Sequence, residues 1–154
     1  MQNNTFIIAL VTAMTFGLSQ LAYADNHKES VTSQDVKKET QELISTLGKY
    51  TASQRDEAKK TAEKAMNKLD SRIEALEYRI DTNWENMTQA TQKEAKSNLK
   101  ALRQQRNELA EWYGGFKHSS SDAWSEVKTG FSRAYKTINS SLDKALNEYE
   151  KNDE

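Results

Sequence analysis

The chain has 154 residues, with 22 basic and 23 acidic side chains, no cysteine and no proline. The near-neutral balance supplies no electrostatic pull toward nucleic acid, and the missing cysteine excludes disulfides and thiolate metal sites together. Charged residues at 29% and hydrophobic residues at 36% suit a chain that buries narrow stripes rather than one that surrounds a large core.

Residues 1–24, MQNNTFIIALVTAMTFGLSQLAYA, carry no charged side chain. An apolar run opens at Phe6, and Ala22 and Ala24 put small residues where a signal peptidase reads them. The pattern predicts an export signal cleaved before Asp25 and a periplasmic mature protein. It departs from the usual signal in having no Lys or Arg ahead of the apolar run. A membrane anchor, the competing reading, needs about 20 predominantly apolar residues, and Thr12, Thr15, Ser19 and Gln20 interrupt this run.

Residues 25–33, DNHKESVTS, read as a flexible polar leader. From Gln34 to about Asp81 the composition shifts to Ala, Glu, Lys, Gln and Leu, all good helix formers. Ser33 or Asp35 serves as the cap. The first seam is Val36, Leu43, Leu47 and Tyr50; it fades across TASQRDEAKK, where Ala52 and Ala58 are the apolar residues. Gly48 costs the helix about 1 kcal/mol relative to alanine, which predicts fraying there. The seam resumes at Ala62, Ala65, Leu69, Ile73, Leu76, Ile80, Trp84 and Met87. These steps of three and four make an eleven-residue repeat, about 3.67 residues per turn, which favours a nearly straight helix. Residues 81–91, DTNWENMTQAT, weaken the helix with Asn and Thr while the seam runs through them, so a turn and a continuous helix both fit.

Beyond Ala95 the spacing becomes heptad. Ala95, Leu102, Leu109 and Phe116 recur at sevens, with Leu99, Arg106 and Tyr113 alongside. A second stripe holds Trp124, Phe131, Ile138 and Ala145, with Tyr135, Leu142 and Tyr149 beside it. Folding the chain back at residues 114–121 pairs Phe116 with Trp124, Leu109 with Phe131, Leu102 with Ile138 and Ala95 with Ala145. A second line pairs Leu99 with Leu142 and Arg106 with Tyr135. The resulting hairpin, 93–149, is about 40 Å long. In this reading Gly114 and Gly115 let the backbone leave the first helix through a left-handed conformation. Leu99, Leu102, Leu109, Phe116, Trp124, Phe131, Ile138 and Leu142 form the structural seam. Residues 151–154 fray.

Little in the sequence points to catalysis. His27 and His118 have no second histidine at metal-ligand spacing. Glu74, Glu77 and Asp81 share a helix face that reads as solvated, without a pocket to set their pKa values apart. Ser119–Ser121 have no base in an elbow, and no glycine loop cradles phosphate. No catalytic residue, cofactor or metal is expected. Lys93, Lys96, Lys100, Arg103 and Arg106 form a basic run that reads as a wet helix face balanced by acids such as Glu63, Glu74 or Glu77, or else as a dock for an acidic partner or an anionic membrane.

The segments NLKALRQQRNELAEW and SSSDAWSEVKTGFSRAYKTINSSLDKAL carry a resemblance. Through Leu102, Arg103, Arg106, Glu108 and Leu109, then Asp122, Ala123, Trp124, Val127, Gly130, Phe131 and Tyr135, the chain resembles a family of small bacterial coiled-coil stress-response proteins. The likeness runs over roughly residues 40–148, and the family is itself similar to apolipoprotein-type helices with their eleven-residue spacing. It implies a protective, non-catalytic role and brings no catalytic residues. The export signal and the aromatic WYGGF stretch are departures from it.

The sequence thus predicts an all-α protein whose long helices form an antiparallel coiled coil or a three-helix bundle. Its expected role is non-enzymatic protein interaction or protection in envelope stress, and the alternative is peripheral binding to a lipid surface through Trp84, Trp112, Trp124 and the basic run. The protein partner is not named by the sequence. The Ala62–Met87 seam packs either on the hairpin as a third helix or on its copy in a homodimer.

Overall fold

The computed structural model describes residues 33–150. The signal (1–24), nearly all of the leader (25–32) and the tail (151–154) lie outside them. Within that range Val36, Thr40, Leu43 and Leu47 fall on one face and wind into α1, Ser33–Lys49. Tyr50 and Thr51 are not helical, and a single 3₁₀ turn, Ala52–Gln54, leads into α2, Arg55–Asn83. The Gln54 side chain turns back to accept the Thr51 backbone N–H at 3.1 Å. A second 3₁₀ turn, Trp84–Asn86, ends α2. Thr88 then caps α3, Gln89–His118, accepting the Thr91 N–H at 3.2 Å. Residues 119–123 turn the chain into α4, Trp124–Glu150. The described residues contain no strand, and the fold is all-α.

The helices run up, down, up and down. α1 packs on α2 and α4, and α3 packs on α2 and α4 from the opposite corner. Lengths of 17, 29, 30 and 27 residues make α1 the short member, about 25 Å against about 40–45 Å for the others. Its C-terminal end meets Lys128 and its N-terminal end reaches the level of Asp143. Beyond that level the described bundle continues on three helices. One expectation is corrected here, and one open point is settled. The stretch from Gln34 to Asp81 is two helices, so the bundle has four members. Of the two alternatives for 81–91 the turn is found, at residues 84–88, where Met87 adopts extended backbone with ψ 144°.

The core is one contiguous cluster running through all four helices. The seam residues Ala62, Leu69, Ile73, Leu76 and Ile80 are buried in it, with Ala65, Trp84 and Met87 packed against it. The seam is therefore covered within a single chain, and pairing it with a copy requires the bundle to open. Of the hairpin residues, Leu102, Leu109, Phe116, Trp124, Phe131, Ile138 and Leu142 are buried, whereas Leu99 is half-buried. The Phe116 ring meets Trp124 edge-on at 5.6 Å and Phe131 at 5.2 Å, and Phe131 stacks on Tyr135 at 6.2 Å. These are the offset and T-shaped arrangements that aromatic quadrupoles favour.

The turn predicted at 114–121 is corrected to 119–123. Gly114 and Gly115 lie inside α3, which continues to His118 and closes with the Ser119 N–H donated to the Gly115 carbonyl at 2.9 Å. Gly115 serves close approach instead: a Cβ there would sit 2.9 Å from Val127 Cγ2 on α4. Gly130 does the same more severely, since the Trp112 indole lies where its Cβ would be. Gly130→Ala is therefore expected to destabilise the protein by about 1–3 kcal/mol through overpacking, despite the roughly 1 kcal/mol that alanine gains in helix propensity. In a Trp112→Ala background the same change should be neutral or mildly stabilising. Urea denaturation of the four proteins checks this pair.

Candidate interaction site: the seat of the first helix

Where α1 meets α2 and α4, the core is polar. Thr40, Arg72 and Asn139 are all buried there. The Thr40 hydroxyl donates to the Val36 carbonyl at 2.7 Å, and the Asn139 amide donates to the Tyr135 carbonyl at 2.9 Å, each within its own helix. Arg72, on α2, extends Nη1 to Asn139 Oδ1 at 3.5 Å and pairs through Nη2 with Glu39 of α1. Glu39 also takes Lys68 of α2. One carboxylate thus holds α1 to a guanidinium that is 7% exposed.

Glu39 titrates below the ordinary carboxylate range. Partial burial pushes it up, but bonds and charge from Lys68 and Arg72 together outweigh that. A folded-state pKa below the unfolded value means that the stabilisation is present above the unfolded pKa and is lost as pH falls through the folded one. Stability should therefore decline from about pH 4.5 downward. The corresponding slope should be shallower in Glu39→Gln, as read by urea midpoints measured across pH 3–6. Tyr135, stacked in the core beside this layer, is pushed up chiefly by burial.

The far end of α1 is held by α4. Lys128 Nζ donates to the Gly48 carbonyl at 3.1 Å and the Tyr50 carbonyl at 2.8 Å, while Trp124 Nε1 donates to the Tyr50 carbonyl at 3.0 Å. A cation at a helix C-terminus also meets the negative end of the helix dipole. The Trp124 ring has Arg55 Cζ at 5.6 Å and Lys128 Nζ at 5.8 Å from its centroid, both at cation–π range. Beside the Glu39 anchor a groove of about 320 Å³ runs along the α1–α4 contact, lined by Val36, Thr40, Ile44 and Asn139 with the exposed Lys37 and Lys136. Polar fastening is thus concentrated at two points, and between them Leu43 and Leu47 are buried in the core.

The basic run is drawn onto α2. Arg103 pairs with Glu77 at 2.8 Å, and Arg106 makes a two-pronged contact with Asp70 at 2.5 and 2.8 Å. That contact holds the Arg106 guanidinium protonated and raises its pKa, against a smaller opposing effect of burial. The expected Arg106–Tyr135 pairing is corrected: Asp70, an acid not singled out in the sequence, takes the arginine. Glu63 receives the Tyr113 hydroxyl at 3.4 Å. Lys96 lies over the Trp84 ring at 4.8 Å, and Lys93 and Lys100 are exposed. The three tryptophans do not share a surface patch, since Trp124 is buried at the α1 hinge and Trp112 is folded onto Gly130.

Among the described residues no cluster of three or more His, Asp or Glu side chains is placed to hold a metal ion. No described helix is long and apolar enough to cross a membrane. Sequence reasoning missed Arg72 and Asn139. Arg72 lies three residues after Leu69 and four before Leu76, inside the apolar arc, and that position was the available signal. No family model matches the chain, nor does any curated protein or solved structure.

Proposed function

We propose that this is a non-enzymatic, exported helical protein that acts by binding other polypeptides and protecting them in envelope stress. The observation that supports the reading is the seat of α1. It is a long trough on α2 and α4 that takes an amphipathic helix with Val36, Leu43 and Leu47 as its apolar residues, Thr40 on the same face and one acid in its second turn. An unfolding polypeptide offers many segments of that kind. The resemblance to coiled-coil stress proteins points the same way, and the export signal predicted over residues 1–24 places the activity in the periplasm.

The test is aggregation of a heat-unfolded model enzyme, followed by light scattering, with residues 25–154 added. Suppression at a near-stoichiometric ratio is expected, and more suppression by Glu39→Ala, in which the trough is less firmly occupied. No suppression by either protein at tenfold excess would discard the reading. Export is checked separately by osmotic-shock release of the full chain and by the mass of its mature N-terminus, expected at Asp25.

A second reading, peripheral binding to an anionic lipid surface, draws on Trp84, Lys96 and the exposed Lys93 and Lys100 near the α2–α3 turn. Flotation with anionic vesicles at low salt separates the two. Lipid binding that persists in Glu39→Ala and is lost in Trp84→Ala would favour the second.

A further inference from the structure

The joint between α1 and α2 is small. Tyr50 and Thr51 are its two non-helical residues; Thr51 is extended at φ −84°, ψ 169°, and Arg55 is already right-handed helical. No proline stands in it, and Gly48 faces open space. Bringing Tyr50, Thr51 and Gln54, the last now at φ −104° and ψ 32°, into the helical region would join Ser33–Asn83 into one helix, which the composition from Gln34 to Asp81 favours. The hinge carbonyls keep partners, while Lys128 and the Trp124 N–H pass to water. The Gly48 and Tyr50 carbonyls, now served by Lys128 and Trp124, would take the N–H groups of Ala52 and Gln54 four residues on.

A straightened α1 leaves an empty trough on its own bundle, with Arg72 deprived of its carboxylate. Its occupant is specified closely: Val36, Thr40, Leu43 and Leu47 on one face with Glu39 in register against Arg72 and Lys68. The segment on the page that meets this description is α1 itself. We propose that two copies of the chain exchange α1, each laying it on the α2 and α4 of the other. Such an exchange reuses contacts already built and needs a hinge that can open. The closed monomer holds α1 at an effective concentration in the millimolar range, so exchange is expected on refolding at high protein concentration. The proposal goes beyond the protective reading and does not depend on it, since it invokes this chain alone.

Two charge reversals test it on the mature chain, residues 25–154. Glu39→Arg sets arginine against Arg72, and Arg72→Glu sets acid against Glu39, so each variant alone has a mismatched seat. Refolded together at about 0.5 mM, a range in which exchange competes with closure, they restore both pairs in trans. The expected result is a mixed dimer by native mass spectrometry that melts above either variant alone. The double variant Glu39→Arg/Arg72→Glu in one chain shows whether the reversed pair is accepted in cis. If it recovers wild-type melting while the mixture stays two weak monomers, the exchange is overturned. Should either single variant fail to fold alone, a soluble mixed dimer still reports exchange, and its absence beside a folded cis variant still counts against it. A second measurement leaves the seat intact: Gly48→Ala/Thr51→Ala stiffens the hinge as helix and should raise the dimer fraction after refolding several-fold by light scattering. An unchanged monomer would sink the proposal even if the cis variant does not recover.

Discussion

Phe131→Ala is expected to lower the unfolding free energy by about 3–5 kcal/mol, the range for removing a fully buried phenylalanine side chain. Phe131 has no exposed surface and lies between Phe116 on α3 and Tyr135 one turn along α4. Its loss removes buried apolar area and also the edge contact that ties α3 to α4. The cavity would open in the four-helix part of the bundle, where long helices backed by neighbours on both sides cannot easily collapse. Equilibrium urea denaturation of the mature chain measures it. A loss below about 1 kcal/mol, ordinary for a surface position, would show that the aromatic cluster does not hold the hairpin.

The second large effect is at Glu39. Glu39→Ala should cost about 3 kcal/mol, the low end for breaking a buried ion pair. The low end applies because the Glu39 side chain is itself 31% exposed. Most of the cost arises at Arg72, which keeps its charge and burial and is left with Asn139 and the nearby Lys68. Replacing the whole layer is a different matter. Glu39→Leu, Arg72→Met and Asn139→Leu together leave no charge or amide without a partner, and stability within about 1 kcal/mol of wild type or above it is expected. If the triple variant is as weak as Glu39→Ala, the layer contributes net stability. If it is stable, the layer is kept for the register and detachability of α1.

The hairpin register was legible because two heptad stripes of large residues can be superposed in one way, and the Phe116–Trp124 contact stands where that superposition puts it. The glycines were misread because adjacent glycines signal a turn only when nothing large crosses nearby. Here Val127 on the facing helix requires the small residue at Gly115, and that is invisible along one strand of sequence. The α1–α2 break lies at Tyr50–Thr51, beyond Gly48, where fraying was expected. Local capping by Thr51 and Gln54 acts there together with Lys128 and Trp124, which hold the hinge carbonyls. Arg72 was passed over because a charged residue in an apolar window is usually at its edge. Its partners sit on other helices, 33 and 67 positions away.

The packing of Trp124 has an optical consequence. Its indole is buried, donates its N–H to a carbonyl of the hinge, and has two cations within cation–π range. Release of α1 would take away the carbonyl and admit water to the ring, so its emission should move to longer wavelength in step with undocking. Trp84 and Trp112 lie elsewhere, and with both changed to phenylalanine the remaining signal would come from the joint alone. The protein therefore carries an intrinsic gauge of whether its first helix is closed, readable in dilute solution without an added label.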